Sequence, residues 1–450
     1  MTTASESARL LSIPAELVHH ILAFCLPTDV ANFSKICRLS FDLVYSGNDQ
    51  FLWRELFLNS YDDPRKAIRT LTLDEVSFLK PFDWKYELQS RTEAEIIARR
   101  TPHAEPDERQ RALETFISAA LQALPTPRNT EDQPSLNLQW LDRVLRETRM
   151  LNQLQTETQA HSRLRAYISL SHDPSTDEDS RQAVAARRID SRCFVYDIRN
   201  YRNVNYWGPF LANGSVNWTH VEHLANVVLT NLRELPGSWA ATVPPSGLEN
   251  TRAFSAPGPY SDTDWAGVEG TWRRYVCFMD YRDLFAFNYS NVAHGPRNPE
   301  FFRDIRFREA TRLIEIKLHL VQQSQLCFHE PSPDCENVET RYPTLYFCGT
   351  SRGVSGNEAK VEGSVCIGID GTVRWTFYDL IQGAVHNSST LWCSKGVQLG
   401  SIASAAGIVG SWSTSMHDQG ANVADYPLVA GPFWLWKVPP AYTGPLRDFT

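Results

Sequence analysis

The chain has 450 residues, more than one hydrophobic core serves, and two or three folded units are expected. With 42% hydrophobic and 21% charged residues it reads as a globular protein rather than a disordered or fibrous one. A net charge of −8, with basic pairs such as Arg99–Arg100 and Arg187–Arg188 standing alone, argues against a nucleic-acid-binding surface. The first residues are polar, and no signal peptide is read there. Pro14 is pre-set for a first helical turn, and Glu16 complements the positive end of that helix. Leu17, Ile21, Phe24 and Cys25 follow at helical spacing. Beyond Pro27, Thr28 is expected to cap a second helix carrying Val30, Phe33, Ile36 and Cys37 and running on to Phe41 and Val44. A third short helix holds Trp53, Leu56 and Phe57. Three helices this short present more apolar surface than they can bury among themselves, so part of it awaits a partner.

The order Ile13-Pro14-x-Glu16-Leu17, Ile21-Leu22, Asp29-Val30, Ile36-Cys37-Arg38 and then Trp53 resembles the F-box. That module docks substrate receptors onto the adaptor of cullin-based SCF ubiquitin ligases. Ile13 and Val30 stand where leucine is common in the family. The resemblance, over residues 8–60, implies a three-helix module whose Ile13, Pro14, Leu17, Ile21, Leu22, Val30, Ile36 and Cys37 meet a Skp-type adaptor. It further implies a cullin scaffold as partner, a protein substrate bound elsewhere on the chain, no catalytic residue, no cofactor, and a cytoplasmic or nuclear location.

Residues 61–170 are expected to form a helical spacer. One stripe, Leu113, Phe116, Ile117, Ala120, Leu121 and Leu124, is introduced by Asp107–Glu108 and stopped by Pro125. A second runs from Ser135 through Leu138, Leu141, Val144 and Leu145. Residues 171–188 are acidic and polar and read as a flexible linker. From 189 to 440 the period becomes alternating, with one helix expected at about 221–232. In Leu313–Val321, Ile314, Ile316, Leu318 and Leu320 face one way. Further strands are expected at 274–279, 344–348, 364–369, 372–378, 396–402, 407–413 and 432–438. At Asp370–Gly371 a three-residue loop pairs Ile367 with Val373 and Val365 with Trp375, so that apolar residues share a face and Gly371 takes the left-handed position.

So many antiparallel strands with glycine-rich corners suggest a closed barrel, and the whole chain an α+β multidomain protein. Gly-x-Trp triplets at 237–239, 270–272 and 410–412 are similar to the one that opens lipocalin-like barrels. Trp272, Trp375, Phe377, Trp392 and Trp412 are therefore expected to line the barrel or plug one end. Tyr196-Asp-Ile-Arg-Asn-Tyr, Asp264-Trp-Ala-Gly-Val-Glu-Gly-Thr-Trp and Gly431-Pro-Phe-Trp-Leu-Trp-Lys resemble segments of basidiomycete F-box proteins.

No phosphate loop, dinucleotide fingerprint or nucleophile elbow occurs. His220-Val-Glu-His223 has the wrong spacing for a metalloprotease helix and is placed on a polar helix side. Cys327, His329, Cys335 and Cys348 lack paired zinc spacing, so no metal is expected. The nine cysteines are scattered and read as reduced thiols. Gly396–Met416 carries no formal charge but is too weakly apolar for a membrane span, and reads as strands. Two further readings stand beside the ligase receptor: an F-box-coupled barrel that binds a small molecule, and an adaptor-binding scaffold without a ligase role.

Overall fold

The computed structural model describes residues 13–47, 49–71, 82–127, 132–152, 158–169, 178–235, 242–245, 247–289, 297–304, 307, 309–327, 340–382, 389–414 and 429–449. The chain divides into two compact units. The first comprises Met1–Lys66, Leu73–Ala123 and Pro134–Met150; the second comprises Ala67–Thr72, Leu124–Gln133 and Leu151–Thr450. The first is helical in its described residues and the second carries the sheet.

The first unit begins with four helices, not three: α1 (Ala15–Leu22), α2 (Pro27–Ser34), α3 (Arg38–Tyr45) and α4 (Phe51–Leu58). The helix expected from Thr28 to Val44 is broken because Cys37 is extended, at φ −159° and ψ 172°, and serves as the residue before α3. Pro27, not Thr28, opens α2, in the first-turn position that needs no N–H. Three longer helices follow, α5 (Trp84–Arg99), α6 (Pro106–Leu121) and α7 (Leu136–Thr148). A reciprocal capping box between Glu105 and Glu108 starts α6, and the Ser135 hydroxyl accepts from Leu138 N at the start of α7.

Arg91 of α5 joins these helices. Its guanidinium lies 4.6 Å from the ring centroids of both Phe57 and Tyr61. It donates to Asn137 Oδ1 at 2.6 Å and to Gln122 Oε1 at 2.7 Å. Burial pulls its pKa down to about 10, so it keeps its charge at neutral pH. A single buried cation thus ties α4 to α5, α6 and α7.

The second unit contains a closed eight-stranded antiparallel barrel. Its strands are β1 (Gly270–Met279), β2 (Glu309–Val321), β3 (Leu345–Arg352), β4 (Glu358–Ile367), β5 (Val373–Gln382), β6 (Ser389–Gln398), β7 (Ile408–Thr414) and β8 (Ala430–Val438). Each strand pairs with the next in sequence, and β8 returns to β1 to close the ring. A short β9 (Arg447–Phe449) adds to β2. The apolar alternation read at 314–320 holds, with Ile316 and Leu318 in the central core and Ile314 and Leu320 packed against it. Strand bounds differ most at β6, which starts at Ser389 and leaves 399–407 as a connection.

The β4–β5 hairpin adopts the expected register, Val365 opposite Trp375 and Ile367 opposite Val373. Gly368 N donates to Thr372 O at 2.8 Å around a three-residue loop, and Gly371 sits at φ +74°.

The barrel is filled. The Trp272 and Trp375 rings meet edge to face at 5.1 Å, Phe347 lies 5.6 Å from Trp375, and Phe377 meets Phe433 at 5.6 Å. Glycines make room for these rings: a Cβ at Gly396 would lie 2.8 Å from Phe433, and one at Gly410 2.7 Å from it. Arg274 sits inside as well, 4.9 Å from Phe377 and 4.6 Å from Phe433. It pairs with Asp379 at 2.8 Å and donates to Ser394 at 2.7 Å.

Four α-helices lie in the same unit among the described residues: α8 (Gln159–Ile168), α9 (Glu178–Tyr196), α10 (Trp218–Glu234) and α11 (Tyr281–Tyr289). α10 packs on the outside of β7, β8 and β1, and α8 and α9 pack on α10. The acidic linker is corrected accordingly: residues 178–188 begin α9, and 171–177 lie outside the described residues. Expected spacer residues from Leu151 onward belong with the barrel, not before it. Buried ion pairs hold this layer, Arg192 Nε to Glu309 Oε2 at 2.8 Å and Arg165 to Glu222 at 3.2 Å. The Tyr196 hydroxyl also donates to Glu309. His220 and Glu222 are therefore buried polar groups rather than an exposed helix side.

Among the described residues seven cysteines are free thiols: Cys25, Cys37, Cys193, Cys277, Cys327, Cys348 and Cys393. Cys366, buried on β4, is disulfide-bonded, which corrects the expectation of thiols throughout. Spacing gave no sign of it, because a disulfide joins positions that only the fold brings together. No described helix is long and apolar enough to cross a membrane.

Candidate functional site: an open apolar face on the N-terminal helices

The first turn of α1 is set by Pro14, whose carbonyl accepts from Val18 N at 3.2 Å. From there α1 carries two adjacent apolar stripes. Val18 and Leu22 point inward and are 0% and 4% exposed. Leu17 and Ile21, also one turn apart, are 52% and 46% exposed. Phe24 and Leu26, in the connection to α2, are 90% and 66% exposed. Ile36, Leu39 and Phe41, around the start of α3, are 71%, 50% and 52% exposed.

The inward stripe explains why the outward one is stable without cover. Val18, Leu22, Ala23, Val30 and Val44 are buried together with Leu52, Trp53, Leu56 and Phe57 of α4. Asn59 donates to Ala23 O at 2.7 Å, and a His19 Nε2–Leu43 O contact of 2.7 Å ties α1 to the end of α3. The four helices thus fold on one set of side chains and display another. Large apolar side chains concentrated in so short a span on a surface mark an interaction site.

The expected contact residues divide along this line. Leu17, Ile21 and Ile36 are exposed as expected, Pro14 and Cys37 are exposed beside them, and Ile13 is half-buried. Leu22 and Val30 are not available to a partner, and their assignment is corrected: they are 4% and 2% exposed and belong to the module's own core. Phe24, Leu26, Leu39 and Phe41, not among the expected contacts, are exposed as well. The Cys37 thiol lies 3.1 Å from Ser40 Oγ, and that hydrogen bond holds its pKa below the usual thiol value.

The aromatic residues expected in the barrel also divide. Trp272, Trp375 and Phe377 are fully buried in its interior. Trp392 and Trp412 are half-buried and meet edge to face at 5.2 Å, with the Trp412 indole N–H donating to Cys277 O at 3.1 Å. Trp412 faces Gly431 across β7 and β8, toward the end where β1 finishes. Trp239 lies outside the described residues, as do His329 and Cys335 of the zinc-like set. Among the described residues no three metal-ligating side chains converge.

No family model, curated protein or solved structure matches this chain. The exposed N-terminal face and the packed barrel are therefore the features from which a function can be read.

Proposed function

We propose that this chain is a non-catalytic substrate receptor of an SCF-type ubiquitin ligase. In this reading the N-terminal helices are an F-box that binds a Skp-type adaptor, and the barrel unit presents a protein substrate. The observation that carries it is the number of large apolar side chains left exposed in so short a span of the N-terminal helices: Leu17, Ile21, Phe24, Leu26, Ile36, Leu39 and Phe41. They lie within the segment where Pro14, Glu16, Asp29 and Cys37-Arg38 stand in F-box order. The receptor needs no reacting group of its own. It raises the local concentration of an acceptor lysine near a thioester held elsewhere in the assembly.

An adaptor interface of ordinary size buries ~1,200–2,000 Å², and residues such as Phe24 are suited to be its anchors. The free thiols at seven positions fit a cytoplasmic or nuclear location, with the Cys366 disulfide as the exception. A barrel that carries a small molecule in its interior loses its motive, because Trp272, Trp375, Phe347, Phe377 and Phe433 occupy that space. A scaffold role without ligase assembly uses the same face, and differs only in what the adaptor brings with it.

The test is co-purification of adaptor and cullin with the wild-type chain and with Leu17→Asp and Ile21→Asp. Both side chains are exposed, so the variants are expected to keep the circular dichroism and melting curve of the parent while losing the adaptor. Adaptor retention by both variants refutes the assignment. Adaptor capture without cullin selects the scaffold.

A further inference from the structure

Strands of a closed barrel are staggered, so each projects past one of its neighbours at an end. On one edge of β2, β1 pairs from Glu309 to Leu318. On the other edge β3 covers only Glu315–Val321. The projecting part of that edge is filled by β9, and only at Thr311–Leu313. Ala310 and Ile314 have no ladder partner there among the described residues.

β9 is held loosely. It is three residues long, with Arg447 half-buried and Asp448 and Phe449 exposed. Its Arg312 Nε–Asp448 Oδ2 pair, at 3.0 Å, joins side chains that are 48% and 37% exposed, and such a pair contributes little. The firmer attachment lies upstream, where Arg273 donates to Gly444 O at 2.8 Å and covers the Tyr442 ring at 5.2 Å. An open strand edge takes up extended peptides through main-chain hydrogen bonds, and alternate side chains set the preference.

We propose that this edge of β2 is a strand-accepting peptide site, and that β9 occupies it in cis. The matching ligand is an extended segment with an acidic residue opposite Arg312, a basic residue opposite Leu313 and an aromatic residue opposite Thr311, as Asp448, Arg447 and Phe449 are placed. A tethered occupant has an effective concentration of order millimolar, so it masks the site from weak ligands. A partner that also covers Ala310 and Ile314 displaces it. Strand uptake at β2 does not depend on adaptor docking.

The probe is a fluorescein-labelled peptide with the sequence of residues 443–450, Thr-Gly-Pro-Leu-Arg-Asp-Phe-Thr, read by anisotropy. It is added to the intact chain, to the chain ending at Pro440, and to a full-length chain carrying Arg447→Gly, Asp448→Lys and Phe449→Gly. Both opened chains are expected to bind at least tenfold more tightly than the intact chain, and a scrambled peptide is expected not to bind. Replacing the peptide's aspartate by lysine is expected to weaken binding about threefold, with recovery on an Arg312→Asp chain. Equal affinity for intact and opened chains, or no preference over the scrambled peptide, overturns the proposal. If the shortened chain fails to fold, the full-length triple variant, whose changes are at half-buried or exposed positions, decides the outcome by the same comparison.

Discussion

Acidification is expected to loosen the helical layer on the barrel before it disturbs the rest of that unit. His161 of α8 and His220 of α10 are 6% and 1% exposed. Burial holds both pKa values at about 3, with Arg165 adding to the effect at His161 and His223 at His220. His223 is moved the same way, to about 4. Each is neutral when folded, while an unfolded histidine titrates near 6.5. Above that value the proton count does not differ between the two states. As the pH falls through 6.5, the unfolded state binds protons that the folded state refuses, so stability drops until the folded pKa is reached. At pH 5 the difference is about 1.5 pKa units, or about 2 kcal/mol per histidine, and about 6 kcal/mol for His161, His220 and His223 together. The assay is hydrogen–deuterium exchange resolved by peptide at pH 7.5 and pH 5, corrected for intrinsic rates. Opening free energies of α8 and α10 are expected to fall by this amount in the wild type, and by about 2 kcal/mol less in His220→Phe. Phenylalanine keeps the ring between Phe194 and Tyr201, whose centroids lie 5.1 and 5.2 Å away. An unchanged pH dependence in that variant refutes the reasoning.

The two stripes of α1 give a second expectation. Leu22→Ala opens a hole in the four-helix core and is expected to cost about 2–5 kcal/mol, measured by chemical denaturation. Phe24→Ala is expected to stay within about 0.5 kcal/mol of wild type, because Phe24 is 90% exposed. Inside the barrel, Asp379→Ala leaves Arg274 charged and without its carboxylate, at an expected cost of about 3–5 kcal/mol. The Arg274→Met/Asp379→Leu pair is expected to recover most of that loss in the same measurement, and failure to recover would show that the guanidinium itself organises the interior.

The barrel's local structure was legible where two levels of information agree. Around Asp370–Gly371 the turn chemistry and the alternation of Val365, Ile367, Val373 and Trp375 point to one register, and that register is present. Closure was legible only as a tendency. Pairing of Thr271 with Val438 brings together residues far apart in the chain, and nothing local in either strand specifies it. The break at Cys37 was hidden because Phe33, Cys37, Phe41 and Val44 keep helical spacing across it. Residues 178–188 misled by composition, since polarity alone does not distinguish an exposed linker from the first turns of a helix whose later residues, Arg192 and Tyr196, are buried. At the candidate site, the sequence named Leu17, Ile21 and Ile36 but not their orientation. Leu17 and Val18, or Ile21 and Leu22, are neighbours of the same chemistry, and which of each pair faces in depends on where α4 lies.

A barrel stuffed with indole and phenyl rings behaves as a solid peg instead of a cup. Any ligand of such a barrel has to be met on its outer wall or its rim, where turns can lengthen or change without disturbing the stacked rings beneath. New specificities can therefore arise on this scaffold by altering surface residues alone, each change leaving the interior as it was.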